Sequence, residues 1–261
     1  MDWLEALILG LVQGLTEFLP VSSSGHLELG KALFEKNSEK SLLFTIVVHG
    51  ATVLSTIVVF WKDLVQLLAG LFRFRWNDET AFIFKIFVSM IPVGILGLFF
   101  KDKIELLFTG NNVVFVGLML IITSLLLALT YFSKFQDRKL TFLDSFVIGI
   151  AQACAVLPGI SRSGATISTG LLLKNKRDIV IRFSFLMVLI PIIGENLLDI
   201  VKGEYAAEGG IGSTELITGF IAAFVSGLIA CKWMINIVRK GRLVYFSVYC
   251  LIIGIIAIIL G

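Results

Sequence analysis

The sequence has no basic run: its net charge is +3 and its Lys and Arg residues are scattered between apolar segments, which argues against a nucleic-acid partner. Cysteine is scarce too. Cys154, Cys231 and Cys250 stand alone within apolar runs, so neither a disulfide framework nor a CxxC metal site is supported, and all three read as small core residues. The start, Met1-Asp2-Trp3-Leu4-Glu5, lacks the positive front of a secretory signal, so no cleaved leader is expected. What is abundant is apolar. Hydrophobic residues make up 57% of 261 residues, 22 of them Phe, and the mean hydropathy is +0.96. Soluble domains hold about 45–50% apolar residues. The expectation is therefore an all-α polytopic membrane protein forming one integral domain over residues 1–261.

A helix needs roughly 20 residues to cross about 30 Å of hydrocarbon. Six stretches qualify, at 42–61, 81–100, 113–132, 180–200, 215–236 and 243–260, with Pro92 and Pro191 expected to kink two of them. Two further regions, 3–36 and 142–174, are apolar but interrupted near Pro20 and Pro158 by serine–glycine runs, so each half is too short to span. They read as re-entrant hairpins. The order is then hairpin, three spans, hairpin, three spans. Three crossings is an odd number, so the second set starts from the opposite face. This predicts an inverted-topology repeat, with one unit over 1–132 and the other over 142–261. The words themselves echo. Gly10-Leu11-Val12-Gln13, Pro20 and Ser23-Ser24-Gly25 parallel Gly149-Ile150-Ala151-Gln152, Pro158 and Arg162-Ser163-Gly164, with one residue of offset between the two loops.

Lys31, Lys36, Lys40, Lys101, Lys103 and Lys202 fall on the side of the N-terminus, and a larger basic set running from Lys62 to Arg242 falls on the other. The positive-inside rule places the second side in the cytoplasm, so both termini and the mouth of the first hairpin face away from it. Arg162 is left as the one basic residue at membrane depth.

The two interruptions are where chemistry is expected. Thr16, Glu17, Ser22, Ser23, Ser24 and His26 are costly in hydrocarbon unless they face protein or a water-filled cavity, and so are Ser161, Arg162, Ser163 and Thr166. If helices begin near Ser24 and Ser163, their N–H groups and positive dipole ends converge, and Arg162 adds a planar fork of donors. Such a site suits an anion, and reached from within a bilayer it suits a lipid phosphate or diphosphate. Gln13 and Glu17 share one helix face, and Ser23 precedes His26 by three residues, so hydroxyl, imidazole and carboxylate are placed to converge as nucleophile, base and orienting group. N-capping is the competing role for each serine. His49-Gly50 either lines the cavity or packs helices, and Glu195-Asn196 reads as a buried polar pair or a cavity wall.

The stretches Gln13-Gly14-Leu15-Thr16-Glu17-Phe18-Leu19-Pro20-Val21-Ser22-Ser23-Ser24-Gly25-His26 and Pro158-Gly159-Ile160-Ser161-Arg162-Ser163-Gly164-Ala165-Thr166 resemble the two motifs of the undecaprenyl-diphosphate phosphatases, also called bacitracin-resistance proteins. The resemblance implies hydrolysis of a C55 lipid diphosphate to the monophosphate carrier and inorganic phosphate, in the cytoplasmic membrane of a bacterium, with a divalent cation, Mg or Ca. It implies Glu17, Ser23, His26 and Arg162 as the essential set, Glu17 also as metal ligand, and Ser161 and Thr166 as phosphate contacts. Gln13, Ser22, Ser24, Gly25, Ser163 and Gly164 complete the expected substrate-binding set. Gln13 stands where many relatives have a second glutamate. Partners are then the polyprenyl diphosphate and the membrane, with a homodimer left open.

Two other readings compete. Acid-phosphatase-like lipid phosphatases place a second His six residues after the Arg, where this chain has Ser168. Inverted repeats with broken helices also build secondary transporters, so a carrier that flips a lipid-linked phosphate is the alternative function.

Overall fold

A computed structural model describes residues 2–26, 29, 42–100, 113–133, 138–202 and 212–261 of the chain. Among them the structure is helical, apart from one isolated bridge between Arg138 and Asn175. The helices are α1 (Trp3–Phe18), α2 (Leu42–Val59), α3 (Trp61–Leu71), α4 (Asp78–Phe99), α5 (Val113–Phe132) and α6 (Phe142–Cys154). They continue with α7 (Arg162–Leu172), α8 (Arg177–Met187), α9 (Leu189–Lys202), α10 (Ser213–Arg239) and α11 (Val244–Leu260).

Three of these, α4, α5 and α10, are long and apolar enough to cross a membrane. Leu43–Val59 and Trp61–Leu71 pass the same test together, but the pair is bent by 75°. The chain is thus an all-helical, membrane-embedded protein. Its outer surface carries exposed Leu98, Phe99, Phe132, Ile229, Ile252 and Ile259, a face suited to lipid tails. The stretch at 180–200, expected to kink at Pro191, lies across two helices, α8 and α9. Pro191 is the reason: it has no N–H for the Met187 carbonyl and its ring crowds that group, so α8 ends at Met187. In α9 Pro191 sits in the first turn, where the missing donor has no helical partner to lose. Pro92, by contrast, lies inside a continuous α4.

Small residues bring the long helices together. Gly10 and Gly14 of α1 lie against Gly219, Ala222, Ala223 and Ser226 of α10, so close that a Cβ on Gly10 would sit 2.5 Å from the Gly219 carbonyl oxygen. Gly149 of α6 lies likewise on Ser89 of α4. Between α5 and α11, Gly117 meets Gly254, while Ser124 Oγ donates to the Ser247 carbonyl at 2.7 Å and Ser247 Oγ donates back to that of Ser124 at 2.9 Å. Close backbone approach through small residues, with hydrogen bonds across, is how helices associate when lipid offers no hydrophobic drive. Cys231 and Cys250 are buried as expected; Cys154, at the last turn of α6, is exposed and is not a core residue.

Both broken regions begin and resume on side-chain caps. Asp2 caps α1 in a capping box with Glu5, and Thr141 caps α6 in one with Asp144. After each break, Ser22 Oγ accepts from Gly25 N at 3.2 Å and Ser161 Oγ accepts from Gly164 N at 3.1 Å. The helical turns therefore start at Ser23 and Arg162, one residue before the expected Ser24 and Ser163. One interval along the chain separates Asp2 from Thr141, Gly10 from Gly149, Gln13 from Gln152, Ser22 from Ser161 and Gly25 from Gly164. The prolines are the mismatched pair, since that interval sets Pro20 against Gly159.

Candidate active site

The two loops touch. A Cβ on Gly25 would lie 3.1 Å from Gly159 Cα, and one on Gly164 would lie 3.3 Å from Pro20 Cβ. Ser163 Oγ also donates across the junction to the Leu19 carbonyl at 3.3 Å. Each turn is supported from the long helix beside it: Thr123 Oγ1 of α5 donates to the Gly159 carbonyl at 3.2 Å, and Cys250 Sγ of α11 donates to the Pro20 carbonyl at 3.4 Å. Gly159 has φ +100° and lies against Val116 and Met119, a position closed to any side chain. Ser22 also holds a left-handed φ, +67°, while buried, which places backbone strain at the loop that carries the polar residues.

Beside this junction lies a small cavity whose polar wall includes Glu17, Arg162, Ser163 and Thr166. Glu17 comes from the last turn of α1 and Arg162 from the first residue of α7, so the breaks in two separate regions deliver an anion and a cation to one space. Gln13, buried a turn before Glu17, donates from Nε2 to Glu17 Oε2 at 3.1 Å. Arg162 has no ion-pair partner among the described residues, which leaves its fork of donors available to a ligand. It also stands at the positive end of the α7 dipole.

The serines separate by role. Ser22 and Ser161 are caps, Ser24 Oγ lies 3.4 Å from Ser22 Oγ, and Ser163 Oγ lies 3.3 Å from Ser161 Oγ. Ser23 has no hydrogen-bond partner among the described residues. Gly25 and Gly164 form the contact between loops. His26 is held by its own turn and by α11: its Nδ1 lies 2.9 Å from the Ser22 carbonyl and its Nε2 lies 2.7 Å from the Tyr249 hydroxyl. The Ser22 carbonyl also accepts from His26 N at 3.1 Å, so the ring is tied back over its own turn toward α11. A carbonyl only accepts, so Nδ1 carries a hydrogen, and in the neutral ring Nε2 accepts from the Tyr249 hydroxyl.

Sequence reading misses Tyr249, the partner of His26, and the cavity hydroxyls of Thr52, Thr56 and Ser184. A hydroxyl within a strongly apolar run is the one signal that marks them. His49 is not among the residues lining that cavity, and among the described residues nothing lies within 4 Å of where a Cβ on Gly50 would sit. The Glu195 side chain lies outside the described residues, as do the hairpin positions 27–28 and 30–36.

A single carboxylate with an amide beside it does not enclose a cation, and among the described residues no three His, Cys, Asp or Glu side chains lie together. The donor set does fit a hard cation held chiefly by water and by a ligand's own phosphate oxygens.

Fold and site define a class: a helical membrane protein with a cavity lined by Glu17 and Arg162 beside two touching broken-helix loops. The family model described as "Bacitracin resistance protein BacA" matches residues 6–256, and the chain belongs to that family. A relative named undecaprenyl-diphosphatase from Bacteroides fragilis is 56% identical over 265 residues, covering 100% of this chain and 99% of its own length. One of the same name from Parabacteroides distasonis is 57% identical over 262 residues, covering 99% of this chain and 98% of the relative. At greater distance, undecaprenyl-diphosphatase 1 of Bacillus cereus is 37% identical over 264 residues, covering 98% and 97%.

Proposed function

We propose that this chain is an undecaprenyl-diphosphatase, hydrolysing the C55 lipid diphosphate to undecaprenyl phosphate and inorganic phosphate and so returning the envelope lipid carrier to use. The observation that carries the reading is the meeting of Glu17 and Arg162 in one cavity, in a chain whose family relatives bear that name over nearly their full length. Arg162 binds the terminal phosphate through paired N–H donors, and the N-terminus of α7 adds its dipole. Ser23 is the nucleophile. Its Oγ forms a bond to the terminal phosphorus as the P–O bond to the lipid phosphate breaks, and its proton passes to His26 or Glu17. Water then cleaves the phosphoserine, releasing inorganic phosphate and restoring the hydroxyl. Ser22, Ser24, Ser161, Ser163 and Thr166 shape the pocket for the phosphate oxygens, with Gly25 and Gly164 letting the two loops approach.

Glu17, with Gln13 orienting it, would hold a Mg or Ca ion shared with the diphosphate, and such an ion supplies charge neutralisation at the phosphate oxygens.

We further read the architecture as an inverted-topology repeat of six spans and two re-entrant hairpins. The constant interval between equivalent caps, glycines and glutamines supports it, as does the reciprocal contact of Gly25 with Gly159 and Gly164 with Pro20. So does the packing of α1 on α10 and of α6 on α4, each hairpin against a helix of the other half. The protein sits in the cytoplasmic membrane of a bacterium with both termini and the catalytic cavity facing away from the cytoplasm. The test is phosphate release from a C55 diphosphate by purified protein in detergent. Metal-dependent release is expected, and protein that binds the lipid yet releases no phosphate contradicts the reading.

A further inference from the structure

Ser184 stands on α8, in the wall of the same cavity. It is only 4% exposed, and its Oγ has no hydrogen-bond partner among the described residues. That is unusual for a hydroxyl at this site. Thr52 Oγ1 donates to the His49 carbonyl at 2.8 Å, Thr56 Oγ1 to that of Thr52 at 3.1 Å, Thr166 Oγ1 to that of Arg162 at 3.0 Å and Ser163 Oγ to that of Leu19 at 3.3 Å. Each of those hydrogens is committed to the backbone. A helical serine ordinarily bonds back to a carbonyl one turn earlier, as Ser55 does to Ala51 at 3.0 Å and Ser226 does to Ala222 at 2.6 Å. Ser184 does neither. A buried hydroxyl with no partner is destabilising by itself and calls for an explanation.

We infer that Ser184 is a substrate-contacting residue whose hydroxyl donates to a phosphate oxygen held by Arg162. The inference rests on the proposed phosphatase reading and extends its binding set to a helix that neither loop motif includes. A hydroxyl turns freely about its C–O bond, and a serine has three staggered positions, so the donor reaches the cavity without moving the backbone. Arg162 and Ser184 line one cavity, so a single bound phosphate takes donors from both. The ligand chemistry is a phosphate oxygen, which either the lipid diphosphate or released inorganic phosphate supplies.

The test compares wild type, Ser184→Ala and Ser168→Ala for kcat/KM on a C55 diphosphate, for inhibition by inorganic phosphate and for Tm. Ser168 is a matched control, fully buried and without a hydrogen-bond partner but away from the cavity. Loss of a hydrogen bond to a charged group corresponds to roughly tenfold or more. Ser184→Ala is expected to lose about that in kcat/KM with Tm at or above wild type, and Ser168→Ala to keep wild-type turnover. Weaker phosphate inhibition in Ser184→Ala places the contact on the terminal phosphate that Arg162 holds, and unchanged inhibition places it elsewhere and overturns the inference. A kcat/KM for Ser184→Ala within twofold of wild type overturns the inference, and so does a loss that follows a fall in Tm and appears equally in Ser168→Ala. Inactive wild type would instead refute the phosphatase reading itself.

Discussion

The side-chain amide of Gln13 donates to the carboxylate of Glu17 at 3.1 Å from one helical turn away, the last turn before the first loop. Both residues face the interior, and Gln13 is buried. The bond fixes which way the carboxylate points into the cavity. Replacing Gln13 with Leu keeps the volume and removes the donor, so kcat/KM is expected to fall about fivefold to tenfold with Tm little changed. Steady-state kinetics beside thermal unfolding reads both.

His26 and Tyr249 form a second such pair, 2.7 Å apart and drawn from opposite ends of the chain. The hydroxyl holds the imidazole with Nε2 as the basic nitrogen. Tyr249→Phe leaves the ring and loses that bond, so a loss of roughly tenfold in kcat is expected. His26→Gln should cost at least as much. An unimpaired Tyr249→Phe enzyme with an impaired His26→Gln one would show that the imidazole works without this orientation.

Gly159 bears the tightest backbone requirement of the second loop. With φ +100° and Val116 and Met119 against it, Gly159→Ala is expected to destabilise by about 2 kcal/mol or more. Thermal unfolding in detergent measures it. Gly50→Ala, with open space around the added methyl, should be close to neutral.

Chelation tests the shared cation. Removing divalent ions should abolish phosphate release and leave Tm nearly unchanged, because one carboxylate and an amide are too few ligands for a structural site. Adding back Mg or Ca should restore turnover.

Much of the site is legible in the amino-acid sequence, for reasons visible in particular residues. Serine, glutamate, histidine and arginine inside apolar runs are expensive in lipid, so the stretches around Glu17 and Arg162 stand out by composition, and proline with glycine marks where the helices break. Caps are harder to place. Which serine is the cap depends on where the chain turns: Ser22 and Ser161 accept from Gly25 N and Gly164 N, so each helix starts one residue earlier than expected. The break at Val188 follows from Pro191, whose effect falls on the preceding turn rather than at the proline itself. The position of His26 is not legible, because it is fixed by Tyr249, a contact spanning most of the chain. Ser184 carries the weakest mark: only a missing partner together with a place in the cavity wall distinguishes it, and both are properties of packing.

The most direct test of the central claim is phosphate release from a C55 diphosphate by wild type, Glu17→Gln and Arg162→Lys in one detergent preparation. The lysine variant keeps the charge and loses the fork. Metal-dependent release by wild type, with losses of about a hundredfold or more in both variants while Tm holds, is the expected result. Undiminished release by either folded variant would contradict the account of Glu17 and Arg162 as the two walls of one catalytic cavity.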